Sequence, residues 1–497
     1  MSDASPFVPP GRLLMVDIPG RTLDGDTAAF LQQHQIRAVC LFRKNLGTED
    51  EIRALVADLR RTLGPQALIA MDQEGGSVVR ATSLPQAPGA MALGAVDDAV
   101  LARGVGAAVA RGLRHLGLNW NFAPVLDVNS NPANPVIAER SFGADPDRVT
   151  RLALAWLQGS QAEGVACCIK HFPGHGDTHQ DSHHALPVVD KSLAQLEALE
   201  LRPFRALSAY APSLMTAHIV YPQLDAERPA TLSPTLLSGL LRSLMGYRGV
   251  VITDALMMKA VHDRWGHARA AVLALQAGAD MPLAQGSRSD QLAALQAIGD
   301  AQRTGTLDPV RLHAAEARLD DLATQYPATP RDYGDEQRRA DDALMHAAWA
   351  RSLCTVADAR PPRRDQPLRV VTQASVASDG VSEAGLAAEA VFALFSNFAD
   401  VERVTVPDLA VIDNNTLRGA NDRQVLLAGN HRTRYVHPGL KPDLHLPLWN
   451  PYQVADVAAP AVVPWGHADG ALAAAKAWLE GRAGAPGRCP VPLEPHP

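Results

Sequence analysis

Along residues 1–327 short apolar runs alternate with longer amphipathic stretches. The runs are LLMVDI (13–18), AVCLF (38–42), ALIAMD (67–72), LNWNFAPV (118–125), VACCIKHF (165–172), SLMTAHI (213–219), GVVITD (249–254) and ADMPLA (279–284). Several lack polar alternation, the pattern of strands covered on both faces. The stretches between them, such as EDEIRALVADLRRTL and SDQLAALQAIGDAQRTG, repeat their apolar positions with the period of a helix. Eight strand–helix units predict an α/β fold, a TIM (β/α)8-like barrel over residues 1–327.

The last helical pattern of this part, VRLHAAEARLDDLATQY, runs into the polar, proline-containing PATPRDYGDEQRRADD, which reads as a linker over 328–345. LRVVTQA, VERVTVPDLAVI and RQVLLAG then read as strands, and AWARSL, EAGLAAEAVFALFSNF and ADGALAAAKAWLEG as helices. Together they predict a smaller α/β domain over 346–484. The closing GAPGRCPVPLEPHP (485–497) reads as a Pro-rich tail, too rich in proline for regular structure.

Composition narrows the function classes. Of 497 residues 47% are apolar and 20% charged, as in globular proteins and unlike disordered chains. A net charge of −7 supplies no basic field for nucleic acid or an anionic membrane. No apolar run approaches the ~18 residues of a spanning helix, so no membrane insertion is expected. The N-terminal segment lacks the charged start and long apolar run of a signal peptide. The five cysteines include the adjacent Cys167 and Cys168 and no CxxC pair. That pattern argues against a disulfide framework or a zinc knuckle, and a cytoplasmic setting is expected.

Polar residues cluster after the third to seventh apolar runs: MDQEGGSVVR, NPVIAERSFG, KHFPGHGDTHQDSHH, AHIVYP and TDALMM. In a barrel those strand ends form one rim, where active sites are built. The densest segment is KHFPGHGDTHQDSHHALP (170–187), with five of the 17 histidines. It can be read as a solvated loop, as a metal site through His175, His179 and His183, or as acid/base machinery. Pro173, Gly174 and Gly176 disfavour the helix that would align the three histidines. In the acid/base reading Asp181 orients His183, an imidazole suited to proton transfer near neutrality. Asp254 ends a buried run, where a carboxylate either caps the next helix or faces a polar pocket as a nucleophile. Asp72 can pair with Arg80 or accept hydrogen bonds from sugar hydroxyls, and Arg140, Lys170 and His171 supply donors.

These segments carry a resemblance. DQEGGSVVR (72–80), NWNFAPVLDV (119–128), NPVIAERSFG (134–143), KHFPGHGDTHQDSH (170–183), MTAHIVYPQLD (215–225), PATLS (229–233) and GVVITDALMM (249–258) resemble, in order, the motifs of family 3 glycoside hydrolases. The similarity is to the bacterial β-N-acetylglucosaminidase (β-hexosaminidase) branch. It implies a retaining, cofactor-free and metal-free hydrolase of terminal β-linked N-acetylglucosamine. The mechanism implied is a covalent glycosyl-aspartate intermediate, and the setting peptidoglycan recycling, with muropeptides as substrates. Asp254 matches the nucleophile, His183 the acid/base and Asp181 its dyad partner; Asp72, Arg80, Arg140, Lys170 and His171 match sugar-binding positions. Ala138 and Ala255 depart from the common pattern, outside the assigned catalytic roles. The alternatives are a β-glucosidase or a β-N-acetylglucosaminide phosphorylase of the same family, or, in another class, a metal-dependent hydrolase using the His-rich loop. A non-catalytic sugar-binding module fits least, because both presumed catalytic groups are present. The length and glycines of the loop after the fifth strand suit closure over a sugar.

Overall fold

The computed structural model describes residues 7–378, 382–419 and 422–497. Each of the eight predicted runs overlaps a barrel strand: β1 (Met15–Val16), β2 (Ala38–Cys40), β3 (Leu68–Met71), β4 (Trp120–Asn121), β5 (Ala166–Phe172), β6 (Ser213–Thr216), β7 (Val250–Ala255) and β8 (Met281–Ala284). Each pairs in parallel with its neighbours in sequence, and β1 pairs with β8 to close the barrel. The strands are buried almost throughout, which is why they lack alternation. Inside, the Trp120 indole N–H donates to Ser213 Oγ at 2.7 Å, and that hydroxyl donates to the Cys167 carbonyl at 2.8 Å. A bulky side chain is thereby buried without an orphaned donor.

The outer helices follow from their caps and stripes. Glu49–Leu63 buries Ile52, Leu55, Val56 and Leu59, one face of a 3.6-residue period. It starts at a reciprocal cap: Thr48 N donates to Glu51 Oε2 at 2.7 Å, and Glu51 N to Thr48 Oγ1 at 3.3 Å. Losing such a cap typically costs about 1 kcal/mol.

Two irregularities matter for the chemistry. The β5–β6 register shifts between Ile169 and Phe172, and the β7–β8 register between Ile252 and Ala255. A break in the ladder re-aims side chains away from strict alternation. The two breaks fall on Lys170–His171 and on Asp254.

The chain divides into two compact units. One comprises the residues up to Gln73, with Gly106–Val136 and Ala153–Gly334; the other comprises Glu74–Val105, Ile137–Leu152 and Asp335–Pro497. The second unit is a smaller α/β domain, as the sequence predicts, but it also takes in two excursions from the barrel part of the chain. Its six strands are β9 (Cys354–Val356), β10 (Leu368–Gln373), β11 (Val401–Val406), β12 (Gln424–Gly429), β13 (Leu444–Pro447) and β14 (Ala461–Val463). They lie in the order β9-β14-β13-β12-β10-β11, all parallel except β9. Residues 328–345, expected as a linker, contain the start of the helix Asp335–Ser352. That helix buries Asp341, Met345, Ala348, Trp349 and Ser352, a stripe too polar to stand out in the sequence. Residues 485–497 contain no helix or strand.

Candidate active site

In the barrel unit, the end of β5 and the loop after it are organised by one carboxylate the sequence reading did not assign. Asp127 is fully buried. Its Oδ1 accepts the backbone N–H groups of His171 at 3.1 Å and His175 at 2.7 Å, and its Oδ2 lies 2.7 Å from His171 Nδ1. Burial opposes its charge, but the adjacent His171 and His175 outweigh that and hold its carboxyl below the ordinary value. The chain passes close beside it: a Cβ on Gly176 would stand 1.8 Å from the Val128 carbonyl oxygen, so only glycine fits there.

The histidine loop separates into structural and exposed members. His175 is buried, with Nδ1 2.9 Å from Thr178 Oγ1 and Nε2 3.0 Å from Ser182 Oγ. Both ring nitrogens are engaged within the loop, and burial pushes its pKa down to about 4, so it is neutral at pH 7. His179 meets Asn131. Among the described residues no group of three or more His, Cys, Asp or Glu side chains is arranged to hold a metal ion. Lys191 anchors the far end of the loop, bonding Asp177 at 2.7 Å and also Glu200.

Whereas His179 and His184 are exposed, His183 is half-buried. Its ring is about a third exposed, and Nδ1 lies 2.7 Å from Asp181 Oδ1, which also accepts the His183 backbone N–H at 2.9 Å. A carboxylate can only accept, so Nδ1 carries the proton of that bond and Nε2 is the outward nitrogen.

Asp254 closes β7. Its Oδ1 accepts the Ala255 N–H at 2.8 Å. The next helix, Lys259–Ala277, begins after Met258, so Asp254 is not its cap. Burial disfavours the charged carboxylate, but the positive potentials of His218, His171 and His183 and the Ala255 bond prevail, and its pKa is lowered. The group is ionised near neutrality and within electrostatic reach of His171 and His183. His218, also missed in the sequence reading, supports it from the strand before: Nδ1 lies 2.8 Å from Thr231 Oγ1 and Nε2 3.0 Å from the Ala255 carbonyl. Asp72, at the end of β3, accepts a hydrogen bond from Lys170 Nζ at 2.7 Å, with the Lys170 side chain nearly fully buried.

Six predicted site residues therefore fall at the C-terminal ends of barrel strands or in the loop that follows: Asp72, Lys170, His171, Asp181, His183 and Asp254. Arg80 and Arg140 belong to the second unit. There Arg140 makes a two-pronged pair with Glu74, Nε to Oε2 at 2.9 Å and Nη2 to Oε1 at 2.8 Å. Arg80 Nη1 lies 3.2 Å from Glu383 Oε1, and the Glu383 backbone N–H donates to the Ser77 carbonyl at 2.9 Å. Gly75, at φ +107°, lets this turn pass Pro88, whose carbonyl oxygen a Cβ would approach to 2.5 Å. Asp127 and His218 had a readable signal, since each follows an apolar run near a strand end. Glu383 had none, because it opens EAGLAAEAVFALFSNF, a stretch that reads as an ordinary helix.

Comparison with known proteins identifies the family. The profile of the glycosyl hydrolase family 3 N-terminal domain matches residues 10–322. The chain is 37% identical over 338 residues to β-hexosaminidase A of Pseudoalteromonas piscicida, covering 62% of this chain and 56% of that protein. It is 34% identical over 289 residues to the β-hexosaminidase of Idiomarina loihiensis, covering 57% and 87% respectively. The structure of a family 3 β-N-acetylglucosaminidase from Paenibacillus sp. str. FPU-7 superposes with a TM-score of 0.85 at 30% identity, over 98% of both chains. With a barrel, a rim of acidic, basic and imidazole groups and a family match across most of the chain, this protein belongs to glycosyl hydrolase family 3.

Proposed function

We propose that this protein is a retaining glycoside hydrolase that releases terminal β-linked N-acetylglucosamine, acting on peptidoglycan fragments in the cytoplasm. The observation that carries the reading is the His183–Asp181 bond of 2.7 Å on the same rim as an ionised Asp254. Asp254 attacks the anomeric carbon while the His183 imidazolium gives its Nε2 proton to the glycosidic oxygen. The leaving alcohol departs and the sugar is held as a glycosyl ester of Asp254. The neutral His183 then takes a proton from water, which attacks the same carbon, and the aspartate leaves. Asp181 keeps the proton on Nδ1, orients the ring and stabilises the imidazolium, as the carboxylate of a Ser-His-Asp triad does.

Asp72, Lys170 and His171 bind the sugar from the barrel rim, and the family resemblance assigns sugar binding to Arg80 and Arg140 as well. The names borne by the relatives, β-hexosaminidases and a β-N-acetylglucosaminidase, support the choice of sugar. Peptidoglycan fragments present that sugar as a β-linked terminal residue, and no described helix is long and apolar enough to cross a membrane. The test is a panel of aryl β-glycosides with the first product followed by NMR. The reading requires β-N-acetylglucosamine as the first anomer, and first release of the α-anomer refutes it.

A further inference from the structure

The second unit contains a pair of thiols that the sequence pattern does not reveal. Cys354 starts β9 and is buried; Cys489 lies far along the chain in the proline-rich terminal segment and is partly exposed. Their sulfurs are 3.1 Å apart across 135 positions of sequence. That separation is inside ordinary contact distance and about 1 Å from the length of a disulfide.

The backbone around both sulfurs is already fixed. Gly487 N donates to the Leu353 carbonyl at 2.9 Å, next to Cys354. Arg488 N donates to Ala95 O at 2.9 Å, and Ala144 N to Pro490 O at 3.2 Å, which brackets Cys489. A Cβ on Gly487 would stand 2.1 Å from the Ser352 carbonyl oxygen, so the terminal segment runs against the start of β9 without side-chain spacing. Cys489 and Leu493 pack on a cluster that includes Cys354, Trp349 and Trp465. The sulfurs have about 1 Å left to close between two segments already held by these backbone bonds.

We propose that Cys354 and Cys489 are a covalent modification site, a reversible disulfide that staples the terminal segment to β9 when a low-molecular-weight disulfide is present. The Cys489 thiolate attacks one sulfur of the oxidant RSSR, forming a mixed disulfide and releasing RS⁻, which takes up a proton as RSH. The Cys354 thiolate then attacks Cys489 Sγ, and the second RS⁻ leaves and is protonated. Two thiols lose two electrons and two protons, and one RSSR becomes two RSH. The order follows from access, since Cys489 is the half-exposed partner. It also follows from burial, which disfavours the Cys354 thiolate and leaves Cys489 the first nucleophile. Cys40, Cys167 and Cys168 are buried in the barrel unit, and burial pushes Cys167 and Cys168 up to about 12, which leaves them inert. Reversible pairs of this kind are the form disulfides take in a reducing compartment.

The experiment uses the full chain and oxidised glutathione. Thiols counted in denaturant should fall from five to three. The intact mass should drop by two hydrogens, and a non-reduced digest should yield one linked peptide pair holding Cys354 and Cys489. Reductant should restore all of this. Because the bond closes a loop of about 135 residues, the oxidised protein should melt several degrees higher than the reduced one. In Cys489→Ser the thiol count and melting temperature should not respond to the oxidant. Five persisting thiols, glutathione retained on Cys489 as a mixed disulfide, or a linked pair involving another cysteine would each overturn the proposal.

Discussion

Replacing His183 by alanine separates acid catalysis from binding and folding. The ring is about a third exposed, and its Nδ1 bonds Asp181. Losing that bond to a carboxylate should cost about 1.5 kcal/mol of stability, the low end for a charged partner because the ring is partly solvated. Alanine retains the backbone N–H that donates to Asp181 Oδ1 at 2.9 Å, so the turn is kept. The catalytic loss should be much larger. General acid/base assistance is worth about 10²–10⁴-fold, or about 3–5 kcal/mol of barrier. It should fall fully on substrates with alkyl leaving groups, which cannot depart unprotonated. A 2,4-dinitrophenyl glycoside needs no proton, so its first step should stay within a few-fold of wild type. The second step then lacks its base, and stopped-flow release of dinitrophenolate should show a burst followed by a stall. Azide, an anionic nucleophile that needs no base, should relieve the stall and give a glycosyl azide. Asp181→Asn should show the same pattern more mildly, because Nε2 remains but the imidazolium loses its counter-charge. Equal slowing of both substrates, with no response to azide, would refute the dyad and leave the loop a structural role.

Four further outcomes follow from the same geometry. Melting temperature should fall as pH drops from about 6.5 to 4, because buried His175 and His445 have pKa values lowered to about 4 and about 3; the unfolded chain binds those protons first. Each contributes about 3 kcal/mol or more that is present above pH 6.5, and a flat profile between pH 7 and 5 would contradict the neutral assignments. Glu383→Gln, which loosens Arg80, should raise KM several-fold with kcat within a few-fold; a collapse of kcat would instead place a second-unit carboxylate in the chemistry, as in a β-glucosidase-like arrangement. Aryl β-N-acetylglucosaminides should exceed aryl β-glucosides in kcat/KM by at least about ten-fold, and parity would count against the proposed sugar. Added inorganic phosphate should leave free N-acetylglucosamine as the product, whereas a glycosyl phosphate would identify a phosphorylase.

The barrel was legible because its strands are covered on both faces, so each appears as an uninterrupted apolar run; all eight were visible. The helix over Glu49–Leu63 was legible for the complementary reason, a clean stripe behind a Thr-x-x-Glu cap. In the second unit β10, β11 and β12 stood out, but β9, β13 and β14 did not. LHLP and AVV are short, and proline lies within or beside them, which removes the length that a strand pattern needs. The assignment of Glu74–Val105 and Ile137–Leu152 to the second unit was invisible because it depends on contacts distant in sequence. Of the proposed site residues, Asp72, Lys170, His171 and Asp254 were readable from their positions at strand ends, and Asp181 and His183 from their spacing in the loop after β5. Asp127 follows an apolar run, but nothing in the sequence marks its role, gathering two backbone amides and one imidazole, which exists only once β5 and the loop have folded around it. The contact between Cys354 and Cys489 was hidden for the same reason, since 135 positions separate them.

The central claim is a covalent sugar on Asp254, and the His183→Ala variant allows it to be measured. Mixed with the dinitrophenyl β-glycoside of N-acetylglucosamine and quenched in acid during the stall, the protein should gain the mass of one N-acetylglucosaminyl group. Peptide mapping should place that group on Asp254, and the same protocol applied to His183→Ala/Asp254→Asn should give no adduct. An unmodified protein that releases the sugar as its oxazoline, or an adduct on any other residue, would contradict the account.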